Sequence, residues 1–294
     1  MVLLAFVTMS LAWSFSWFAG KLQVNSFVPI ELSAFYRFTL TTILMFVLCL
    51  ITKQRLSLKK SEWRFFLIIG SCNFCLNFVI GYYAMSMIAS GVVATIFSLS
   101  ILLSELISSA LDGRKVSTKI ILSGIIGMLG LAFFILPSIQ FDHFDSKMMM
   151  GIFLSLVMAT IYSVGNVAVV RNKRVNDTPL YVTIAYGSLF GALAALLINI
   201  ARGNEFVFDY SISYIGSLLY LVVIASVLAF ICLFYMIQKI GSARANYTSL
   251  IYPTIALIIS SFFESFHFSF FNIIGLMLIT TALAIEFIPK HKHN

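Results

Sequence analysis

The chain has 294 residues, of which 61% are hydrophobic and only 10% are charged, and it carries a formal net charge of +8. So few charges exclude a water-soluble domain of this size, whose surface would need far more of them. They identify a membrane protein whose first partner is the lipid bilayer. The positive charge gives no reason to expect a nucleic-acid partner, because the distribution of the basic residues has another explanation.

Apolar runs long enough to cross a hydrocarbon core of about 30 Å recur from one end of the sequence to the other. Because these runs do not alternate polar and apolar residues, they predict helices rather than the strands of a membrane barrel. The first run lacks a preceding basic segment and is too long for a cleaved signal, so we interpret it as a span. The ten predicted spans lie at 2–20, 30–52, 66–87, 91–111, 120–137, 149–170, 181–200, 214–237, 246–263 and 269–288.

The basic residues between these spans collect in every second loop. The crowded side carries Lys53, Arg55, Lys59, Lys60, Arg64, Arg114, Lys115, Lys119, Arg171, Lys173, Arg174, Lys239, Arg244, Lys290 and Lys292. The opposite side carries Lys21, Lys147 and Arg202. By the positive-inside rule the crowded side is cytoplasmic. This predicts a multi-pass protein of the bacterial inner membrane with both termini in the cytoplasm.

Polar residues recur every three to four positions along several spans and therefore form stripes on helix faces. The stripe of span two consists of Ser33, Arg37 and Thr41, and that of span three consists of Asn73, Asn77 and Gly81. The stripe of span four consists of Ser98, Glu105, Ser109 and Asp112. The stripe of span six consists of Ser155, Ala159, Ser163 and Asn166, and that of span nine consists of Asn246, Ser249, Pro253, Ser260 and Glu264. Stripes on at least five helices cannot all face lipid, so we predict that they enclose a central cavity. The candidate substrate-binding residues in its wall are Trp13, Asn73, Asn77, Ser98, Glu105, Asn166, Ser249 and Tyr252.

Glu105 lies well inside span four, where a charged side chain costs about 2.5 to 3.5 kcal/mol even on a lenient insertion scale. We expect it to face a water-accessible chamber in the inner half of the membrane, where it could bind a cationic group or exchange a coupling proton. The alternative is a protonated carboxyl group that is hydrogen-bonded to Ser108, Ser109 or a neighbouring helix. Arg37 lies closer to the outer surface, where it could snorkel, pair with Glu31 or meet a lipid phosphate.

Other residues are candidates for a structural or gating role. Pro253 lies inside span nine and leaves one backbone carbonyl without its helical partner, which predicts a kink or a contact with a ligand. Gly124, Gly127 and Gly130 in span five permit another helix to come close, and Gly275 in span ten is a weaker counterpart.

Neither a metal nor a cofactor is predicted. Cys72 and Cys75 form a CxxC pair, but the pair lies within a helix with no further cysteine or histidine nearby, so we interpret it as packing. The four histidines lie in loops or in the tail. A nucleotide-binding motif is also missing from the sequence, so transport would have to be driven by a gradient or by exchange.

Ten spans divide into two halves of five, 1–146 and 147–294. An odd number of spans in each half makes the two halves enter the membrane from opposite sides. Sliding one half over the other by 151 residues brings identical residues together at Ala94 and Ala245, Ser98 and Ser249, Leu99 and Leu250, and Gly124 and Gly275. The predicted fold is an all-α membrane protein of ten transmembrane helices in two inverted five-helix repeats around a central cavity.

Six segments carry a resemblance to a known family. They are "LAWSFSW", "AFYRFTLTTILM", "YYAMSMIASGVVATIFSLSILLSELISSAL", "SGIIGMLGLAFFI", "FYMIQKIGSARANYTSLIYPTIALIISSFFESF" and "IIGLMLITTALAI". By the order and spacing of these segments, the chain resembles the ten-helix drug/metabolite transporter superfamily, whose members carry two EamA repeats.

The resemblance implies a basket of inverted repeats around a central cavity, with the substrate entering between helices that include the fourth and the ninth. Pro253 and Glu264 match the proline and the glutamate of the motif in the second repeat, which adds Glu264 to Pro253 and Arg37 as a structural or gating candidate. The first repeat lacks the corresponding proline near Ile101. Glu105 is not part of the family pattern and is therefore a candidate for recognition of a substrate particular to a subgroup.

The leading hypothesis is a secondary transporter, either a permease or an exporter, for small polar or amphiphilic metabolites such as amino acids, working across the inner membrane by alternating access. An alternative is uptake or exchange of a cationic nucleoside-like metabolite such as S-adenosylmethionine, with Glu105 and aromatic side chains meeting the cation. A membrane-embedded enzyme is a remote alternative, because the loops show no clustered acids, histidines or lysines in a recognisable arrangement. We therefore do not predict an enzyme.

Overall fold

A computed structural model describes residues 1–113, 115–116, 118–135, 146–240, 248–264 and 269–287 of the chain. The described residues form helices and connecting loops and contain no strand. In the first half α1 spans Val2–Val24, α2 Ile30–Ile51, α3 Trp63–Met87, α4 Ser90–Leu111 and α5 Thr118–Ile135. In the second half α6 spans Ser146–Asn176, α7 Leu180–Ala201, α8 residues 212–240, α9 Thr248–Phe263 and α10 Phe270–Phe287.

Seven helices, α1 to α4 and α6 to α8, are long and apolar enough to cross a membrane, and shorter apolar helices lie within α5, α9 and α10. Each of the ten predicted spans coincides with one of these helices, so the all-helical class is confirmed. Large apolar side chains recur along the outward faces, as at Ile43 and Val47 of α2 and at Ile125 and Met128 of α5. Apolar stripes of this kind suit contact with lipid rather than with water.

The sixth helix is longer than its hydrophobic stretch predicts. It has 31 residues and ends at Asn176 instead of near residue 170. Its last turns are polar, and the Asn176 side chain accepts a hydrogen bond from Ser61 at 2.6 Å and donates one to Asn172 at 2.7 Å. These contacts, rather than hydropathy, stabilise the helix beyond the apolar region.

Two helices contain a π-helical turn where the sequence predicts regular α-helix. In α3 the turn is Cys72–Leu76, between Trp63–Ser71 and Asn77–Met87. In α8 it is Tyr220–Leu228, between Ile212–Leu219 and Ala229–Ile240. When the two halves are aligned by a shift of 151 residues, the residues of the first turn align with residues within the second turn. The two irregularities therefore occupy equivalent positions in the two halves.

The halves of the chain contact each other through most of their helices. The pair α2 and α7 and the pair α5 and α10 pack along their lengths. The helix α1 packs against α8 and α9, and α6 packs against α3 and α4. The helix α4 is interrupted by a turn at Ser98 and Leu99: its first segment, Ser90–Phe97, packs against α9, and its second, Ser100–Leu111, packs against α6.

Glycines mark the closest helix crossings. A Cβ atom on Gly130 would lie 2.9 Å from the carbonyl oxygen of Gly275, and one on Gly275 would lie 2.6 Å from the carbonyl oxygen of Gly130, so the α5–α10 crossing requires both glycines. A Cβ atom on Gly127 would come within 3.2 Å of Leu99. Gly124 differs from the expectation: among the described residues, no neighbouring helix lies within 4 Å of such an atom.

Charged residues stabilise the two ends of the bundle. At the end that carries the α1–α2 loop, Glu31 accepts hydrogen bonds from Arg202 and from the Tyr83 hydroxyl, the latter at 2.9 Å. The hydrogen bond to Glu31 raises the pKa of the Arg202 guanidinium above its usual range. At the opposite end the fully buried Glu62 pairs with Arg55 at 3.1 Å.

Glu62 also accepts hydrogen bonds from the backbone of Lys59 and from the hydroxyl of Thr178, and so joins the α2–α3 loop to the α6–α7 loop. We predict that Glu62→Ala lowers the melting temperature of the detergent-purified protein, by an amount equivalent to about 1 to 3 kcal/mol, because these two donors lose their acceptor in a dry environment. Asp177→Asn is the control: it removes the exposed ion pair with Lys173 and keeps a residue type that tolerates the positive φ of 53° at this position, so it should leave the melting temperature unchanged. Equal effects of the two substitutions would contradict a structural role for Glu62.

Candidate functional site

Polar and aromatic side chains from four helices meet in the middle of the bundle. This central cluster consists of Trp13 of α1, Asn73 of α3, Tyr162 and Asn166 of α6, and Tyr252 of α9. The rings of Trp13 and Tyr252 make an edge contact with centroids 6.0 Å apart, and the hydroxyls of Tyr252 and Tyr162 are close enough to interact electrostatically. Asn166 Oδ1 accepts a hydrogen bond from Asn73 Nδ2 at 3.2 Å, and the Asn166 side chain is also hydrogen-bonded to Tyr162. The cluster thus connects helices from both halves.

Both π-helical turns contribute to this cluster. Asn73 lies within the turn of α3, and the carbonyl oxygen of Ala225, within the turn of α8, accepts a hydrogen bond from Trp13 Nε1 at 3.1 Å. A π-turn widens the helix and alters its hydrogen-bond ladder, and such turns are frequent at functional sites. Here the two turns bring one side chain and one backbone carbonyl to the centre of the bundle.

More aromatic rings surround the cluster. Trp17 contacts Phe97 with ring centroids 5.3 Å apart, and Phe97 contacts Tyr162 at 4.7 Å. Trp13 also makes an edge contact with Phe230 at 6.3 Å. Tyr162 is not among the binding residues predicted from the sequence. The signal that would have placed Tyr162 correctly is its position one turn before Asn166, on the polar face of α6.

Two asparagines retain unused hydrogen-bonding capacity. The Oδ1 atoms of Asn73 and Asn77 are buried and have no partner among the described residues. Buried polar atoms are rarely left without a partner in native proteins. Both oxygens are fully buried, and that of Asn73 packs against Gly165 of α6, so a bound molecule would reach them only after the helices move.

The other predicted binding residues are not joined to the central cluster in the described part of the chain. Ser98 is fully buried, and its hydroxyl donates to the carbonyl of Thr95 in its own helix at 2.6 Å, which leaves it little freedom to meet a ligand. Glu105 lies on the second segment of α4 and is half-buried. Within the described residues its carboxylate makes no hydrogen bond or ion pair. The side chain of Ser249 and all of Asn246 lie outside the described residues.

Arg37 lies in the interior, contrary to the expectation that it snorkels to the surface. Its side chain is only 6% exposed, and Nη1 donates a hydrogen bond to the Tyr82 hydroxyl at 3.2 Å. The guanidinium lies 4.3 Å from the ring centre of Phe78 and 5.3 Å from that of Phe38. Glu31, the expected partner, instead binds Arg202.

The aromatic rings explain how Arg37 can be buried without a carboxylate. Placing a charge inside the membrane costs about 2.5 to 3.5 kcal/mol on the lenient scale. A desolvated cation–π contact contributes about 2 kcal/mol, and a hydrogen bond to a charged group about 1.5 to 3 kcal/mol. Since the gain and the cost are similar, the guanidinium can remain charged in this position.

At the end of the bundle that carries the α1–α2 loop, α9 caps the N-terminus of α4. The Glu264 carboxylate accepts hydrogen bonds from the backbone and the hydroxyl of Ser90, the former at 2.7 Å. Ser260 accepts one from the backbone of Gly91 at 2.7 Å and donates to Glu264 at 3.0 Å. A Cβ atom on Gly91 would lie 2.6 Å from the Cα of Leu257, so the two helices are in direct contact here. We refer to Ser90, Gly91, Ser260 and Glu264 as the α4–α9 junction.

Beside this junction is a cavity of about 410 Å³, lined by Phe18, Lys21, Leu22, Asn25, Met87, Ile88, Ala89, Phe263 and Glu264. The Lys21 ammonium donates hydrogen bonds to the carbonyls of Met85 and Ile88 at the end of α3. These contacts join α1, α3, α4 and α9. Pro253, the predicted kink residue, is buried within α9 between the central cluster and this end.

We predict that Trp13→Phe lowers the melting temperature by the equivalent of about 1 to 3 kcal/mol, because the Ala225 carbonyl inside the π-turn of α8 loses its donor. Trp63→Phe is the matched control. Trp63 is 49% exposed and contacts Phe190 through its ring alone among the interactions described, so its replacement should have a much smaller effect. A melting temperature that is unchanged in Trp13→Phe would show that the Trp13 hydrogen bond does not stabilise the turn.

Comparisons with known proteins agree with this arrangement. The EamA-like transporter family matches the chain twice, over residues 1–136 and 149–287. The protein PagO of Salmonella typhimurium is 22% identical over 97% of this chain and 92% of its own length. The uncharacterized transporter YoaV of Bacillus subtilis is 20% identical over 87% of this chain and 86% of its own length, and an uncharacterized transporter of Buchnera aphidicola is 23% identical over 87% and 83%.

A crystal structure that is 19% identical in sequence shows the same fold. It superposes with a TM-score of 0.67 and covers 97% of this chain and 96% of that chain.

Proposed function

The chain belongs to the EamA-like transporter family, and from this membership we propose that it is a secondary transporter that moves small polar or amphiphilic metabolites, such as amino acids, across the bacterial inner membrane by alternating access. The observation that carries the proposal is the central cluster. It combines apolar rings with hydrogen-bonding groups at the place where helices of both halves meet, as binding sites for small molecules do.

The helix contacts support two inverted repeats of five transmembrane helices, with the boundary near residue 147. The first helix of each half, α1 or α6, corresponds to the first of the other, and so on to α5 and α10. Under this correspondence the contact of α1 with α9 is equivalent to that of α6 with α4. The contact of α1 with α8 is likewise equivalent to that of α6 with α3. Both members of each pair occur, and the pairs α2–α7, α4–α9 and α5–α10 map onto themselves. A pseudo-two-fold axis produces this pattern.

The exposure of the central residues supports a cavity between the repeats. Trp13, Trp17, Phe97 and Tyr162 lie well inside their helices and are nevertheless only half-buried. Groups in this position would be fully buried if the halves packed together without a space between them.

We further propose that the conformation described here is open toward the cytoplasm. The positive-inside rule places the α4–α9 junction on the outer side, where it holds the two helices together. The second segment of α4 leaves α9 and packs against α6, and the half-buried Glu105 lies on this segment. Transport would require the junction to separate at the outer end while α4 and α9 approach each other at the inner end.

The alternative substrate, a cationic nucleoside-like metabolite such as S-adenosylmethionine, is favoured by one observation. Glu105 has no partner among the described residues, and aromatic rings that can bind a cation lie in the same bundle. The relatives that are named for a function are named as transporters, which supports transport over the remote enzymatic alternative.

The proposal can be tested with purified protein in liposomes, by measuring uptake of a panel of radiolabelled amino acids, organic acids and nucleosides. We predict that Asn166→Leu reduces the transport rate at least about tenfold, because it removes hydrogen bonds from the central cluster. Thr160→Ala is the control on the same helix, since Thr160 is exposed and bonds to its own backbone. A panel that the wild-type protein does not carry, or an unaffected rate in Asn166→Leu, would contradict the proposed site.

We predict that Ser260→Ala weakens the α4–α9 junction and populates the outward-open state. To measure this, the four native cysteines are replaced by alanine and a single cysteine is introduced beside the junction as Ala89→Cys. The measurement is the rate at which a membrane-impermeant maleimide labels this cysteine. Labelling should rise severalfold in Ser260→Ala. The neighbouring Ser261→Ala should have no effect, because Ser261 donates to the carbonyl of Ile258 in its own helix. Identical labelling of both variants would show that the junction does not control access.

Coupling to protons is tested at Glu105. We predict that Glu105→Gln abolishes uptake driven by a pH gradient but preserves exchange of labelled for unlabelled substrate, because the amide cannot take up or release a proton at these pH values. Glu205→Gln, on an exposed loop, is the control. Gradient-driven uptake that persists in Glu105→Gln would remove Glu105 from the coupling mechanism.

A further inference from the structure

We infer that Arg37 binds an anionic group of the substrate, most simply a carboxylate, and that the transporter therefore carries acids or zwitterions rather than neutral or purely cationic compounds. This inference rests on the proposed transport function and specifies the substrate class. It starts from the hydrogen-bonding capacity of the guanidinium and from the distribution of carboxylates in the chain.

Most of the donors of Arg37 are unused. A guanidinium has five N–H donors in one plane. In the described part of the chain only the bond from Nη1 to the Tyr82 hydroxyl is made, and Nε is buried without a partner. The side chain is nevertheless held in place, because α3 presents the ring of Phe78 and the hydroxyl of Tyr82, one turn apart, to the guanidinium.

The protein supplies no carboxylate to Arg37 among the residues described. The acidic residues whose side chains are described are Glu31, Glu62, Glu105, Asp112, Asp177, Glu205, Asp209 and Glu264. Several of them bind other groups: Glu31 pairs with Arg202, Glu62 with Arg55, and Asp112 with Arg171. None of the eight forms an ion pair with Arg37.

The other arginines with described ion pairs show what a structural arginine looks like in this chain. These arginines are partly exposed, lie at the ends of the bundle and each contact a carboxylate: Arg55, Arg171, Arg174 and Arg202. Arg37 is buried in the membrane-spanning part of α2 and has none. A planar group with paired donors is the usual partner of carboxylates, which it can bind through two parallel hydrogen bonds.

The position of Arg37 connects it to the central cluster. Tyr82 packs in one group of side chains with Met158, Trp17 and Phe97, and the Trp17 and Phe97 rings lead to Tyr162 of the cluster. Arg37 thus lies toward the outer end, separated from the cluster by two layers of side chains: Tyr82, and then Trp17 with Phe97.

The inference is tested by thermal stabilisation and uptake with the twenty amino acids and the amide of each one. The amide preserves size and ammonium group but lacks the carboxylate. For the amino acids that bind, we expect stabilisation of the wild-type protein at concentrations roughly tenfold or more below those required by their amides. Arg37→Gln should remove this difference, and Arg37→Lys should retain part of it, because lysine keeps the charge without the planar donors.

The melting temperature without ligand separates a binding role from a structural one. We expect Arg37→Gln to be about as stable as the wild-type protein, since it removes both the cost of burying the charge and the contacts with Tyr82 and Phe78 that offset this cost. Arg202→Gln is the control: it breaks the pair with Glu31 and should lower the melting temperature while preserving the preference for carboxylates.

Equal binding of amino acids and amides by the wild-type protein would overturn the inference and leave the proposed function intact, as would uptake of only neutral or cationic compounds. A lower melting temperature of Arg37→Gln with an unchanged preference for carboxylates would assign Arg37 a structural role instead. Failure of the wild-type protein to carry any compound of the broader panel would contradict the proposed function, and the inference with it.

Discussion

The structure depends on one constraint: hydrocarbon offers no hydrogen-bond partner, so a polar group that leaves the regular helical ladder must find a partner inside the protein. The first backbone amides of α4 find theirs on α9, in Ser260 and Glu264. The carbonyl of Ala225, in the π-turn of α8, finds its partner in Trp13 of α1. In both cases a side chain of another helix provides the hydrogen-bond partner, and these contacts connect the two halves.

The same constraint explains where the bundle is tightly closed and where polar groups remain available. At both ends, carboxylates and their partners join neighbouring loops, as Glu62 and Glu31 do. In the interior, by contrast, Arg37, Asn73 and Asn77 retain donors or acceptors without partners among the described residues. Unsatisfied polar groups reduce stability, and proteins retain them chiefly where function requires them. The contrast supports the proposal that the interior, rather than the loops, recognises the substrate.

Hydropathy alone was sufficient to locate all the described helices, because their apolar faces must meet lipid. Glycine spacing correctly indicated a close crossing of α5 and α10, although the contact lies at Gly130 and Gly275 and not at Gly124. The extension of α6 to Asn176 was missed, since side-chain hydrogen bonds to another loop stabilise its polar end. The interior position of Arg37 was missed for a related reason. Its aromatic neighbours on α3 are adjacent only in the folded chain, and depth along a single helix cannot reveal them.

The π-turn of α3 has a consequence for every residue that follows it. One additional residue in a helix rotates the remainder by about 100° and advances it by about 1.5 Å. Phe78 and Tyr82 both come after the turn, and both face Arg37. A regular α-helix with the same composition would still span the membrane, yet its second half would point these two rings in another direction. A single inserted residue therefore determines the direction in which the side chains of the second half of α3 point. The hydropathy profiles of related chains would not show which of them have the insertion and which lack it.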